Sequence, residues 1–186
     1  MVSLTALWLP ILVSAVLVFI VSSIVHMALG YHKSDYKPLQ DEEAVRAALG
    51  RQNLPPGIYH VPHCADMKAM GSPEMTKKYE EGPVALIALL RNGRVNMGPY
   101  LVQWFLYSLL ISILCAYVAG RTLDPGTHYL EVFRVVGTVA WMAYGVSAIS
   151  GGIWKAQPWS NVAKEVFDGL IYACVTAGAF GWRWPV

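Results

Sequence analysis

Four apolar runs, each long enough to cross a bilayer, constrain this chain more than any other feature. A membrane-spanning helix needs about 20 apolar residues, and residues 4–29, 99–120, 129–151 and 161–182 each approach or exceed that length. The chain is 55% hydrophobic and only 14% charged, which is typical of membrane proteins. The runs therefore predict an α-helical membrane protein with four transmembrane helices.

The runs also divide the chain into three parts. We predict a first transmembrane helix within residues 1–30, a polar cap over residues 31–98 and a three-helix transmembrane segment over residues 99–186. The first run lacks the basic start and the clear cleavage site of a signal peptide, so we interpret it as a retained anchor. The net charge of +2 is too small for a nucleic-acid-binding surface.

Basic residues near the ends of the runs predict the orientation. Seven lie on the side of the cap, against three on the other side, which places the cap in the cytoplasm by the positive-inside rule. The seven are Lys33, Lys37, Arg46, Arg91, Arg94, Lys155 and Lys164, and the three are Arg121, Arg134 and Arg183.

The cap has alternating helix and strand signals, which predict a small α/β unit. Acidic residues at 41–43 open a short helix that Gly50 closes, and Ser72-Pro73 opens another that ends at Gly82. Residues 57–61 are a candidate strand. Residues 84–90 are a second candidate strand or an interfacial segment, and the strand is favoured because Asn92-Gly93, a typical hairpin turn, follows.

The densest group of potential metal ligands lies in the cap. It comprises His60, His63, Cys64 and Met67, a set of imidazole, thiol and thioether groups that copper or zinc accepts. The spacing matches no standard zinc motif. Ordinary loop packing is therefore the alternative interpretation.

Charged residues in the fourth run form a second candidate site. Lys164, Glu165 and Asp168 interrupt an otherwise apolar segment, and charges at membrane depth are costly. Lys164 precedes Asp168 by four residues, so the two can pair on one helix face near the headgroups. Alternatively, Asp168 is a proton or ion site assisted by Tyr172, or by Tyr107 or His26 from other helices.

Small residues recur every four positions along the same run and form a smooth ridge. They are Gly169, Ala173, Ala177 and Gly181. Such a ridge allows another backbone to approach closely. It predicts helix packing, either on the third helix of this chain or on a protein partner or second copy through the fourth helix.

Several segments, among them YHKSDYKPL, LPPGIYHVPHC, EEGPVALIALLRNGRVNMG and FDGLIYACVTAGAFGWRWP, resemble those of a group of uncharacterised bacterial membrane proteins of about this size. The resemblance covers nearly the whole chain. It implies a bacterial inner membrane, and it assigns no activity and no functional residue.

No phosphate-binding loop, nucleophile elbow, zinc-protease or haem-attachment motif occurs, which favours a non-enzymatic role. The leading hypothesis is a structural or accessory subunit of a larger membrane complex. The first alternative is proton, ion or small-solute transport through Asp168. The second alternative is a metal-handling or redox protein that uses His60, His63 and Cys64.

Overall fold

The computed structural model describes residues 1–186, most of which lie in helices. The α-helices are α1 (Trp8–Met27), α2 (Glu42–Arg51), α3 (Pro73–Glu81), α4 (Gly98–Thr122), α5 (Tyr129–Tyr144), α6 (Ile149–Trp154) and α7 (Trp159–Trp182). The strands are β1 (Gly57–Val61) and β2 (Ala85–Leu89). Short 3₁₀ helices lie at Leu4–Leu7, Gly30–Ser34, Met67–Gly71 and Val146–Ala148.

Three helical stretches are long and apolar enough to cross a membrane, namely Leu4–Met27, Gly98–Thr122 and Tyr129–Trp154. They coincide with the first three apolar runs, so the structure supports the membrane class predicted from the sequence. α7 is 24 residues long but is not among the three. The charged residues near its N-terminal end lower its apolar character.

The chain forms two compact units. One combines Met1–Tyr36 with Asn96–Val186, and the other is Lys37–Val95. The first unit is a helix bundle that contains α1 and α4 to α7. The second is the polar cap, which contains α2, α3 and both strands.

The most extensive helix packing in the bundle is between α5 and α7. The two helices cross so closely at one point that a Cβ atom added to Gly169 would lie 2.3 Å from the Cα atom of Gly145. Further along, a Cβ on Gly137 would lie 3.3 Å from that of Ala177, and Gly181 lies against the Tyr129 ring. The small-residue ridge of α7 therefore faces α5 of the same chain.

α1 packs against α4 through buried serines as well as apolar groups such as the Phe19–Phe105 ring pair. The Ser14 hydroxyl donates a hydrogen bond to Ser112 Oγ at 2.9 Å, and both side chains are fully buried. Nearer the C-terminal end of α1, the indole of Trp104 donates to Ser22 Oγ at 2.8 Å. Small hydroxyl side chains let two membrane helices approach closely while satisfying their own polar atoms.

The cap is built on one antiparallel pair of strands. β1 pairs with β2 so that Gly57 lies opposite Leu89 and Val61 lies opposite Ala85. Asp41 caps α2 by accepting from the Ala44 amide. The strands predicted at 57–61 and 84–90 correspond to β1 and β2, and the helices opened at 41–43 and 72–73 correspond to α2 and α3.

The hairpin predicted at Asn92-Gly93 is wrong. No strand follows this pair, because the chain runs directly into α4 at Gly98. The strands that do pair are instead separated by residues 62–84, which include α3. An Asn-Gly turn makes a hairpin only where strands flank it on both sides.

Candidate functional site

The bundle contains one buried carboxylate, and it belongs to Asp168. Asp168 is 3% exposed and lies in the first half of α7. The close crossing at Gly169, the next residue, holds this turn of α7 against α5. The carboxylate reaches the short segment that follows α1, where the Tyr31 hydroxyl donates to Oδ1. His32 Nε2 lies 2.9 Å from Oδ2.

The segment after α1 is wound so that its side chains reach α7. Gly30–Ser34 forms a 3₁₀ helix, and the Asp35 amide closes it by donating to the His32 carbonyl. His32 Nδ1 lies 2.6 Å from Asp35 Oδ2. One imidazole therefore contacts two carboxylates, with Asp35 on one nitrogen and Asp168 on the other.

Lys164 fixes this segment onto α7. Its ammonium donates to Asp35 Oδ1 at 2.6 Å, to the Tyr31 carbonyl at 2.7 Å and to Ser34 Oγ at 2.8 Å. The pairing of Lys164 with Asp168, predicted from their four-residue spacing, is not the one formed. The three acceptors around the ammonium come from residues 31–35, and together they outcompete one acceptor on the same helix face.

His26 completes the cluster from the last turn of α1. Its ring packs against that of His32, with centroids 4.4 Å apart and ring planes tilted by 37°, and its Nε2 lies 3.3 Å from the Tyr172 hydroxyl. Donor atoms of His26, His32 and Asp168 all lie within 4.8 Å of one another. Two imidazoles and one carboxylate thus converge, and we refer to these three residues as the junction cluster.

The electrostatics of the surrounding groups follow from these contacts. Burial and the hydrogen bond to Asp168 raise the pKa of Tyr31, so this phenol remains a neutral donor. Hydrogen bonds from Lys164 and His32 lower the pKa of Asp35. The ammonium of Lys164 is matched by Asp35, so no Lys or Arg side chain balances the Asp168 carboxylate.

The other residues predicted around Asp168 lie in different environments. Tyr172 is buried and contacts His26. Glu165 accepts a hydrogen bond from the Gln157 amide at 2.8 Å. Tyr107 donates to the Ala143 carbonyl at 3.2 Å, which ties α4 to α5.

The ligand group predicted in the cap is dispersed. His60 Nδ1 contacts the Pro62 carbonyl, and the Cys64 thiol donates to the Asp66 carbonyl. Met67 is 78% exposed. His60, His63 and Cys64 do not form a convergent set of donor atoms, and the junction cluster is the one such group of three in the structure.

Sequence reasoning named Asp168, Lys164, Tyr172 and His26 but missed Tyr31, His32 and Asp35. Each of the three bonds to α7 residues that are about 130 positions away in the sequence, as the 136-residue separation of His32 from Asp168 illustrates. The available signal was a Tyr-His-x-x-Asp group directly after an apolar run. Polar side chains at the end of a transmembrane helix are close to whatever polar groups the neighbouring helices carry at that depth.

No family model matches the chain, and neither a curated protein nor a solved structure matches it.

Proposed function

We propose that this protein handles a cation at Asp168, as a transport protein of the membrane. One observation carries the proposal: a carboxylate only 3% exposed is contacted by Tyr31 and His32 and has no Lys or Arg partner. A carboxylate away from water needs a compensating charge. Ionisable groups within membrane proteins commonly mark ion pathways for this reason.

A fourth transmembrane helix formed by α7 is part of this proposal. α7 is long enough to span a bilayer, and it packs along α5 and α1. The charges that interrupt its apolar character are compensated within the bundle, since Lys164 bonds to residues 31–35 and Glu165 bonds to Gln157. Internal compensation reduces the cost of placing such residues at membrane depth.

The bacterial inner membrane is the proposed location, with the cap on the cytoplasmic side. The resemblance described above supports the membrane, and the excess of basic residues beside the cap supports the orientation. The junction cluster includes His26 of the last turn of α1 and so belongs to the end of that helix that we place on the cytoplasmic side. A bundle of four helices is narrow, so transport through it would use an oligomer.

Flux measurements in liposomes test the proposal. Purified protein is reconstituted with trapped indicators for protons, monovalent cations and divalent cations. We expect one cation to cross in the presence of the wild-type protein and not with Asp168→Asn. The matched control is Asp66→Asn, an exposed cap residue whose role as a helix N-cap an asparagine retains. Equal flux in wild type and Asp168→Asn, or no flux of any cation, would refute transport.

A second candidate function is an accessory subunit of a larger complex. Its support is the exposed apolar surface of the bundle, since only 22–28% of the most apolar stretch of each candidate span is buried within the chain. The small-residue ridge faces α5, so a partner or second copy would use another face of α7, such as the one that carries the exposed Phe167. Extraction in a mild detergent should then recover a larger assembly, and a monodisperse monomer would argue against it.

A further inference from the structure

We propose that the junction cluster, His26, His32 and Asp168, is a binding site for a divalent transition metal ion, with Zn²⁺ as its ion. The inference rests on the cation-handling function proposed above, and it names the cation. The site differs from the one predicted in the cap, both in its residues and in its lack of sulfur ligands. Imidazole nitrogen and carboxylate oxygen are ligands that Zn²⁺ accepts, whereas Cu⁺ prefers thiolate and thioether.

The spacing of the donor atoms suits a small ion. Zinc bonds of about 2.0–2.1 Å in a tetrahedral arrangement place neighbouring donors about 3.3 Å apart. His32 Nε2 and Asp168 Oδ2 are 2.9 Å apart, and all three donors lie within 4.8 Å. Binding of Zn²⁺ would adjust these distances through rotation of the side chains. The three ligands come from α1, the segment after it and α7, so the folded bundle preforms the site.

The contacts of His32 point to a cation between its Nε2 and Asp168. A neutral imidazole carries one N–H group, while His32 contacts a carboxylate with each nitrogen. If Nδ1 donates to Asp35, then Nε2 presents a lone pair to the Asp168 oxygen. Two lone pairs at this distance repel each other unless a positive charge is shared between them, either as a second proton on the imidazole or as a metal ion. A metal ion bound by both atoms satisfies them together.

Asp35 and Lys164 form the outer support that such a site requires. Metal-binding histidines usually donate their second N–H to a carboxylate, which fixes the tautomer and the ring orientation. Asp35 lies 2.6 Å from His32 Nδ1, and Lys164 holds the other Asp35 oxygen at 2.6 Å. A metal ligand at Nε2 with a carboxylate at Nδ1 is the arrangement found around many zinc ions.

Charge and access are consistent with cation binding. Lys164 balances Asp35, so with neutral histidines the cluster and its support carry a net charge of −1. Asp168 is buried, His32 is half-buried and His26 is exposed. An ion can therefore enter on the side of His26, while Asp168 forms the closed end of the site.

Equilibrium binding to purified, chelator-treated protein in detergent tests the inference without any flux measurement. We expect one Zn²⁺ per chain by competition with a chromophoric chelator and by elemental analysis. Co²⁺ in place of Zn²⁺ should give the visible absorption of a low-symmetry site with nitrogen and oxygen ligands. His26→Gln is the principal variant, because His26 is exposed and we expect its replacement to leave the fold intact. Asp168→Asn is the second variant.

Both variants should weaken Zn²⁺ binding by at least about 100-fold, because each removes a direct ligand. Loss of a residue that only supports a ligand typically weakens metal binding by roughly 10–100-fold. The matched control is His63→Gln, an exposed cap histidine, which should bind as the wild type does. Absence of stoichiometric binding to the wild type would overturn the inference. So would equal losses in His26→Gln and His63→Gln.

The two proposals fail separately. Zn²⁺ binding without transport of any cation would retain the metal site and refute transport. Transport of another cation that depends on Asp168, with no Zn²⁺ or Co²⁺ binding, would retain the proposed function and refute the metal site.

Discussion

The junction cluster and the cap segment around His60 form an instructive pair. In the sequence, the cap segment is the richer one, with His60, His63 and Cys64 within five positions. In the structure these three residues form no convergent group of donor atoms, and His60 and Cys64 each contact a nearby backbone carbonyl. The junction cluster is assembled from side chains that include His32 and Asp168, 136 positions apart. Which polar side chains converge in the fold therefore depends more on where helices end than on how densely those side chains occur along the chain.

The largest expected effect tests whether Zn²⁺ binds at the junction cluster or at the cap segment around His60. His32→Gln should weaken Zn²⁺ binding by at least about 100-fold, because it removes the ligand that both carboxylates orient. The triple variant His60→Ala, His63→Ala, Cys64→Ser should leave the affinity unchanged. Isothermal titration in detergent measures both. Loss of binding in the triple variant alone would return the metal site to the cap.

Removal of the outer support should have the next largest effect. Asp35→Asn keeps the size of the side chain but loses a carboxylate that contacts both His32 and Lys164. We expect Zn²⁺ affinity to fall by roughly 10–100-fold, less than on loss of a direct ligand. Competition with a chromophoric chelator gives the affinity. The control is Asp41→Asn, because asparagine can still accept the hydrogen bond at the N-terminus of α2. An Asp35→Asn affinity equal to the wild type would show that His32 needs no carboxylate at Nδ1.

The close crossing of α5 and α7 supplies a third test. A Cβ added to Gly169 would lie 2.3 Å from Gly145 Cα, and backbone cannot yield as a side chain can. Gly169→Ala should therefore destabilise the bundle by about 1–3 kcal/mol and displace the adjacent Asp168. Thermal unfolding monitored by tryptophan fluorescence measures the loss.

Gly178→Ala on the same helix is the matched control for this test. Its added Cβ would lie 3.7 Å from the Tyr129 hydroxyl, an ordinary contact. We expect its melting temperature to be close to that of the wild type. Equal stability of the two variants would mean that α5 and α7 are not in contact at Gly169.

The smallest expected effect concerns the cap. Lys78 donates to Glu74 at 2.6 Å and lowers the pKa of that carboxyl. The pair therefore stabilises α3 above the ordinary pKa of Glu74, and the stabilisation is lost as the pH falls through the lowered value. Lys78→Met should raise the carbon-13 titration midpoint of the Glu74 carboxyl.

Lys77→Met is the control for the cap titration, because Lys77 pairs with Glu81 at 3.6 Å instead. It should leave the Glu74 midpoint unchanged. The effect on overall stability is small in either variant, since exposed ion pairs contribute little. A large change in melting temperature would show that the cap depends on its surface charges.

Local patterns predicted most of the elements. Residues 57–61 form β1 as expected, and the helices expected from Asp41 and Ser72 begin beside those residues, because caps and strand periodicity act within a few residues. The apolar runs are also recognisable from local sequence, since a run of about 20 apolar residues is enough to indicate a membrane-spanning helix. The hairpin at Asn92-Gly93 was wrong because residues 94–97, which follow the pair, form no strand before α4 begins at Gly98.

The candidate site depended on contacts that local patterns do not carry. A lysine four residues before an aspartate predicts a pair on one face, but Lys164 found three acceptors in residues 31–35. The ridge on α7 predicted a close neighbour without naming it, and the glycines that identify α5 as that neighbour lie 24 or more residues earlier. Tertiary packing decided both outcomes.

The distribution of the junction cluster along the chain has a consequence for biogenesis. Domains form in the order of synthesis, and His26 and His32 are synthesised more than a hundred residues before Asp168. Until α7 packs beside α1, His32 has only Asp35 as a hydrogen-bonding partner, and the segment after α1 has no Lys164 to hold it. A ribosome-nascent chain that stops before residue 159 should therefore bind no Zn²⁺. Metal retention then reports that the last helix has reached its place beside the first.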